Sequence, residues 1–442
     1  MDNVLAKKFS FSSLISFAMP NVCMMICLSM YIIVDGMFIS SLLGTNALSA
    51  ANMIYPVICL EMAIAIMIAT GGNAIIAKKL GEGNISEART NFSFLILVEV
   101  IIGICISLFG IIFLDQILSA LQVSTIQRPL CAIYGRILFL FAPAFFLQTS
   151  FQTFFVTAGK AKLGFIVTIL AGLVNMILDY IFMAEFHMGM AGAAIATGIG
   201  YCIPAIIGLV YFFTVKNQPL HFTTPVFDAH TLIKTCSNGS SEMVTNLANA
   251  VTTLLFNSTF LHFYGEDGVA SITIILYFQY IFTALYFGYA NGIAPIISFK
   301  FGIHDVKQLQ EIFKHSIIFL MISSILSNII IHFTISKALL IFTSSDSYVY
   351  QLTQDGFSIY SIAFLFMGLG IFSSALFTAF SDGKTSAIIS FSRTFLFTIG
   401  AIIILPSIFG EIGTWLCVPI AELLGAFIAV FYLIRNKHYG YA

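Results

Sequence analysis

Apolar residues in this 442-residue chain come in long blocks separated by short polar stretches, without the alternating or three-to-four rhythm of half-buried elements. A helix needs about 20 such residues to cross a bilayer core. Twelve stretches qualify: 12–39, 47–70, 92–114, 131–157, 163–184 and 190–213, then 238–261, 269–293, 315–341, 351–379, 386–408 and 412–434. Pro20, Pro56, Pro143, Pro204 and Pro419 lie inside them and predict kinks or discontinuities. The segments 74–89 and 295–311 carry charge on one face and read as interfacial helices between spans.

Composition agrees. The chain is 59% hydrophobic and 9% charged, with a mean hydropathy of +1.00, whereas a soluble domain carries about 25% charged residues. An all-α integral membrane protein follows. The net charge of −1, with no basic patch interleaved with aromatics, gives no sign of a nucleic-acid partner. The 8 cysteines sit mostly in apolar segments and read as small buried hydrophobes. No Cys/His spacing suggests a metal centre, and no cofactor is expected. Lys7 and Lys8 precede an apolar run that continues past any plausible cleavage site, so that run reads as a first span. With the N-terminus cytoplasmic, the inner loops and tails hold all but four of the 19 Lys and Arg. Arg128 and Lys337 fall outside, and Arg136 and Arg393 lie within spans. Such a bias predicts that both termini are cytoplasmic.

The chain also repeats itself. Gly44 in LGTNALSA matches Gly265 in YGEDGVAS, Gly81 matches Gly302, and Gly189 matches Gly410, each pair 221 residues apart. Gly159 in FVTAGKA pairs with Gly383 in FTAFSDGKT after a short insertion. A repeat spanning six helices implies two pseudo-symmetric six-helix bundles related by an axis along the membrane normal. The expected division is an N-terminal half, 1–214, a cytoplasmic linker, 215–237, and a C-terminal half, 238–442.

Against this apolar background two carboxylates stand out, Asp35 in MYIIVDGMFIS and Asp179 in LVNMILDYIFM. An ionisable group within a span costs roughly 2.5–3.5 kcal/mol on insertion scales and marks a functional site by default. Counting along the spans places Asp35, Asp179 and Thr197 at about one depth, in the outer half of the N-terminal bundle. Asn175, four residues before Asp179, shares its helical face. At the repeat offset Asp35 maps to Phe256 and Thr197 to Val418, so the C-terminal half lacks this group. Glu61 and Glu422 lie mid-span and could line a cavity. Gln148, Gln152, Gln279 and Asn291 fit either substrate contact or a bridge between helices. Glu242 falls near the inner end of the seventh span. For Glu99, Arg393 and Arg136 the simplest expectation is snorkelling to an interface.

These features resemble the MATE (multidrug and toxic compound extrusion) family, in its DinF-like, MepA-like branch, over essentially the whole chain. The resemblance rests on Pro20 and Asp35, the Asn175-x-x-x-Asp179 pair, Thr197, and the segments KKLGEGNISEA and PIISFKFG. Ala294 before Pro295 departs from a frequent Gln-Pro pair. The resemblance implies a proton or cation site at Asp35, Asn175, Asp179 and Thr197, and a first helix that bends at Pro20. Two carboxylates in apolar surroundings can hold a proton, or bind Na⁺ with Asn175 and Thr197 as neutral oxygen ligands. The implied activity is antiport: H⁺ and/or Na⁺ enters while lipophilic, often cationic compounds leave by alternating access. The expected setting is a bacterial cytoplasmic membrane, with the chain acting as a monomer.

Other readings fit less well. A lipid-linked precursor flippase of the same superfamily would place several basic residues in its cavity, and here only Arg136 and Arg393 are intramembrane. The loop after span two lacks the Gly-x-x-x-Asp-Arg pattern of a major-facilitator protein. No His-Glu-x-x-His, Gly-x-Ser-x-Gly or P-loop pattern supports an enzyme.

Overall fold

The structure is a computed structural model that describes residues 4–121, 123, 125, 127–340 and 342–442, with Ile32 and Thr45 described by backbone alone. Every regular element among these residues is helical. The N-terminal half contains α1 (Phe11–Leu43), α2 (Thr45–Gly81), α3 (Ile85–Ile112) and the short α4 (Leu114–Ala120). It continues with α5 (Arg128–Leu140), α6 (Ala142–Thr157), α7 (Ala161–Tyr180) and α8 (Gly189–Thr214). The axes of α5 and α6 bend by 55°. That break falls at Phe141, just before Pro143, so together they form one broken span.

The long α9 (Ala229–Gly302) is two spans. At 1.5 Å per residue a continuous helix of that length would reach about 110 Å, several bilayers. Instead the chain turns at Gly265 (φ 67°, ψ −153°). A Cβ added at Gly268 would sit 2.7 Å from the carbonyl oxygen of Phe260, whereas eight residues of straight helix span about 12 Å. Then follow α10 (Val306–Leu339), α11 (Tyr348–Tyr360) continuing into α12 (Phe364–Ala379), and α13 (Gly383–Phe391). A π-type stretch, Ser392–Ile399, joins α13 to α14 (Gly400–Phe409), and α15 (Glu411–Arg435) completes the bundle. The described residues therefore make twelve crossings, as the sequence predicts.

Glycines carry the repeat for two physical reasons. Gly44 and Gly265 (φ 89° and 67°) and Gly189 and Gly410 (both φ 58°) turn the chain between antiparallel helices in a backbone region that disfavours a Cβ. Gly81 and Gly302 instead let the halves touch. A Cβ at Gly81 would lie 2.3 Å from Phe299 O, and one at Gly302 2.4 Å from Lys78 O. Each contact is the image of the other under the repeat, because Lys78 and Phe299 are also equivalent positions. The same relation links Gly71, 2.7 Å from Gly239 N, with Gly292, 3.3 Å from Ala18 Cα. These reciprocal contacts describe a pseudo-two-fold axis between the halves, running through the end of the molecule that carries both termini.

Other sequence expectations need correction. The segments 74–89 and 295–311 are not separate interfacial helices: their residues end α2 and open α3, and end α9 and open α10. Their apolar positions bury against the opposite half, so the helices simply extend beyond the membrane core. The structural partner of Gly159 (φ 72°) is Ser381 (φ 62°), not Gly383. Of the five prolines expected to mark kinks or discontinuities, Pro143 lies at a helix break, and the other four, Pro20, Pro56, Pro204 and Pro419, mark no discontinuity in α1, α2, α8 and α15.

The segment after α8 is non-helical until Asp228, whose carboxylate accepts from Thr231 N at 3.1 Å and caps α9. Its first residues pack on the N-terminal half. Arg89 donates to Pro219 O (2.9 Å) and Gln218 O (3.1 Å), and Thr223 N donates to Ser93 Oγ (2.9 Å). Phe222 stacks on Phe92, whose ring also meets Phe154 and Phe212.

Candidate functional site

The polar group read from the sequence assembles at one level of the N-terminal half. Asp179 is the penultimate residue of α7, where the helix passes into a π-type turn, Ile181–Glu185. Such turns widen the backbone and recur at functional sites. Asn175 lies one turn earlier. Thr197 faces them from α8, which packs on α7 so that a Cβ at Gly200 would sit in ordinary contact, 3.4 Å from Asn175 Cβ. Asp35 comes from α1, and its carboxyl lies within electrostatic reach of that of Asp179. Asp179 is fully buried, and Asn175 and Thr197 nearly so.

What is missing from this cluster is hydrogen-bond partners. Asp35 Oδ1, both oxygens of Asp179, both polar atoms of Asn175 and Thr197 Oγ1 are buried without a hydrogen-bond partner among the described residues. Leaving one buried polar atom unsatisfied costs about 1–3 kcal/mol. Five of these six atoms are oxygens, three of them from the two carboxyl groups, and they can accept a positive occupant: a proton shared between the carboxyls, or a small cation. No group of three or more His, Cys, Asp or Glu suited to a transition metal occurs among the described residues.

Three tyrosines that the sequence reading did not single out surround the pair. Tyr31 and Tyr134 lie within electrostatic reach of both carboxyls, and Tyr31 also reaches Thr197. Tyr201 lies within reach of Asp35 and of Glu61. Two of them carried a sequence signal: Tyr31 is four residues before Asp35 and Tyr201 four after Thr197, so each shares a helical face with a site residue. Tyr134, on α5, carried none. Glu61 is 6% exposed on α2, one layer further towards the termini, beside the packed group of Met62, Ala65, Phe145 and Tyr201.

The remaining polar residues take different places. Gln148 is buried on α6, and Pro20 is half-buried within an unbroken α1. Asn21, beside that proline, donates to Gly288 O at 2.7 Å and ties α1 to α9. Gln279 accepts from Tyr360 Oη and Gln152 donates to Thr168 (3.1 Å), so both bridge helices. Glu422 does not stand free in a cavity: Arg393 Nη1 donates to its two oxygens at 3.1 and 3.5 Å. Arg393 is 6% exposed, and Glu99 is fully buried with Ser150 Oγ donating to it at 2.5 Å. The snorkelling expectation fails for both, because an internal partner lies closer than the interface. It suits Arg136, which is exposed. Asn291 and Glu242 line a small cavity where the two halves meet. The C-terminal half thus holds buried charges of its own, built from different residues.

Comparison with known proteins places this architecture. The chain is 24% identical to the multidrug export protein MepA of Staphylococcus haemolyticus (strain JCSC1435) over 431 residues, 97% of this chain and 94% of that protein. It is 23% identical to MepA of Staphylococcus aureus (strain MRSA252), with the same coverage. Among solved structures, a MATE in complex with MaL6 superposes with a TM-score of 0.94 at 19% identity over the full length of both chains. An outward-facing multidrug resistance MATE family transporter of the MOP superfamily gives 0.92 at 19% identity, covering 100% of this chain and 99% of that one. The MatE family model matches twice, over residues 20–181 and 243–404, one match in each half of the repeat. Twelve membrane helices in two equivalent sets, each set matching the same model, make this chain a member of the MatE family.

Proposed function

We propose that this protein exports lipophilic, often cationic compounds from a bacterial cell, driven by inward movement of H⁺ and/or Na⁺ through the site at Asp35, Asn175, Asp179 and Thr197. The observation that carries this reading is the pair of buried carboxyls whose Asp35 Oδ1, Asp179 Oδ1 and Asp179 Oδ2 have no hydrogen-bond partner among the described residues. Two neighbouring buried carboxyls without a hydrogen-bond partner are unfavourable unless a proton or cation joins them. Losing that occupant restores the repulsion, so the local arrangement of α1, α7 and α8 depends on whether the site is filled. That dependence is what ion-coupled transport requires: differential stability of two states set by occupancy. One charge moving inward yields about 2.3 kcal/mol per 100 mV. The relatives' names as multidrug export proteins support the cargo class.

In this reading residues 1–214 and 238–442 are the two rocking bodies, joined by 215–237. Both termini face the cytoplasm, and a single chain suffices. The tight contacts at Gly71, Gly81, Gly239 and Gly302 then close the cytoplasmic side. The test is dye efflux from proteoliposomes with pH and Na⁺ gradients imposed separately, comparing the native chain with Asp35→Asn and Asp179→Asn. Loss of gradient-driven efflux in both variants is expected. Undiminished efflux from either gradient, in both variants at normal membrane levels, would overturn the proposal.

A further inference from the structure

Where the halves meet, towards the termini, lies a cavity of about 20 Å³. Its polar lining is Thr70 and Asn73 from α2, Thr153 from α6, Glu242 and Asn291 from α9, and Thr378 from α12. A buried water needs about 10–15 Å³ on this scale, so the space admits one or two water-sized occupants.

The chemistry of the lining is one-sided. Thr70 Oγ1 donates to Ile66 O (2.8 Å) and Thr153 Oγ1 donates to Thr149 O (3.1 Å). Their protons are committed to the backbone, so what they turn to the cavity is lone pairs. Thr378 Oγ1 is engaged with Ser386 Oγ (2.8 Å) and Asn238 O (3.5 Å). Asn73 is oriented by Thr157, whose hydroxyl donates to its Oδ1. The Glu242 side chain is 4% exposed and lines this space. The opposite charge within its reach is Arg393, and Arg393 is already bonded to Glu422. That pair is neutral as a unit, so an ionised Glu242 has no protein cation of its own.

We propose that this seam cavity binds a small monovalent cation of the size of Na⁺, held by the Glu242 carboxylate and by side-chain oxygens of Asn291, Thr70 and Thr153. Oxygen ligands suit a hard alkali cation, and an ionised Glu242 carboxylate matches one positive charge. The site is separate from Asp35 and Asp179, which lie in the half of the N-terminal bundle away from the termini. Its ligands come from both halves, so it is complete only while the seam is closed. A bound ion therefore stabilises the closed seam, and parting of the halves releases it.

The experiment is the Tm of the purified full-length chain in detergent, with NaCl replaced stepwise by choline chloride or KCl at constant ionic strength. Na⁺ is expected to raise the Tm of the native chain by several degrees more than K⁺ or choline. The effect persists in the Asp35→Asn/Asp179→Asn double variant and disappears when Glu242→Gln is added to it. If Glu242→Gln does not fold, the Thr70→Val/Asn291→Ala variant replaces it and should shift the Na⁺ midpoint at least tenfold upward. Equal effects of all three salts, or none, would overturn the proposal. So would a Na⁺ effect that survives the Glu242→Gln change in the double aspartate background, or the Thr70/Asn291 change there if that variant is the one used, or one that vanishes in the double aspartate variant itself. Failure here leaves the efflux test of the aspartates untouched, so the two proposals stand or fall separately.

Discussion

Replacing Gly239 by alanine should loosen one end of this molecule selectively. The added Cβ would lie 1.9 Å from Met67 O and 2.7 Å from Met67 C, whereas a carbon–oxygen contact settles near 3.3 Å or beyond. Backbone cannot swing aside as a side chain does, so α2 and α9 must part by about 1 Å or more at this point. Overpacking of this kind costs about 1–3 kcal/mol. The strain exists only while the halves touch, because the two helices belong to opposite halves of the repeat. It therefore acts as a bias against the closed seam, worth about a 5- to 150-fold change in the closed-to-open ratio. Gly71→Ala, with its Cβ 2.1 Å from Thr235 O, should do the same. Gly172→Ala is the control, since nothing lies within 4 Å of its Cβ position. Spin labels at Lys162 and Lys384, both exposed near the termini's end and one in each half, report the opening as a longer distance population by double electron–electron resonance. Unchanged distributions in both seam variants would refute the idea that this backbone contact holds the halves together.

Further outcomes follow from other contacts. Arg393→Met strands the Glu422 carboxylate in the interior and should lower stability by about 3–5 kcal/mol, while Arg393→Met/Glu422→Leu recovers most of it; thermal unfolding with a thiol- or tryptophan-based readout checks both. Hydrogen bonds from Thr231 hold the Asp228 carboxyl below its ordinary range, so its cap stabilises the fold above that range and the contribution is lost as pH falls through the lowered value. Asp228→Ala should accordingly cost about 1 kcal/mol at neutral pH, with the difference from the native chain vanishing in strong acid and Asp228→Asn showing little loss at either pH. Phe212 sits fully buried with stacked neighbours at Phe151 and Phe155 (5.6 and 5.4 Å); Phe212→Ala should cost about 3–5 kcal/mol through the cavity it leaves, read as a lowered Tm.

Much of this protein is legible without coordinates. A bilayer demands a fixed apolar length and internally satisfied backbone, so span number and the repeat follow from local composition. Turn glycines at positive φ reinforce that reading, because Gly44, Gly189, Gly265 and Gly410 punctuate antiparallel helices wherever they pack. Asp35 and Asp179 declare themselves by cost alone, and Asn175 by its position one helical turn away. What helix periodicity could not supply was the third dimension of contact. Tyr134 reaches the carboxyls from α5, Arg393 finds Glu422 across two helices, and Glu99 finds Ser150 on α6; each partner is invisible to local patterning. The seam cavity is further still from a sequence signal, since its lining comes from four helices and both halves. Apolar run length is a property of one segment against lipid, and it determined the number of spans. Which helix meets which depends on where two backbones come close enough to touch, and for Gly71, Gly81, Gly239 and Gly302 the tertiary structure alone decided that.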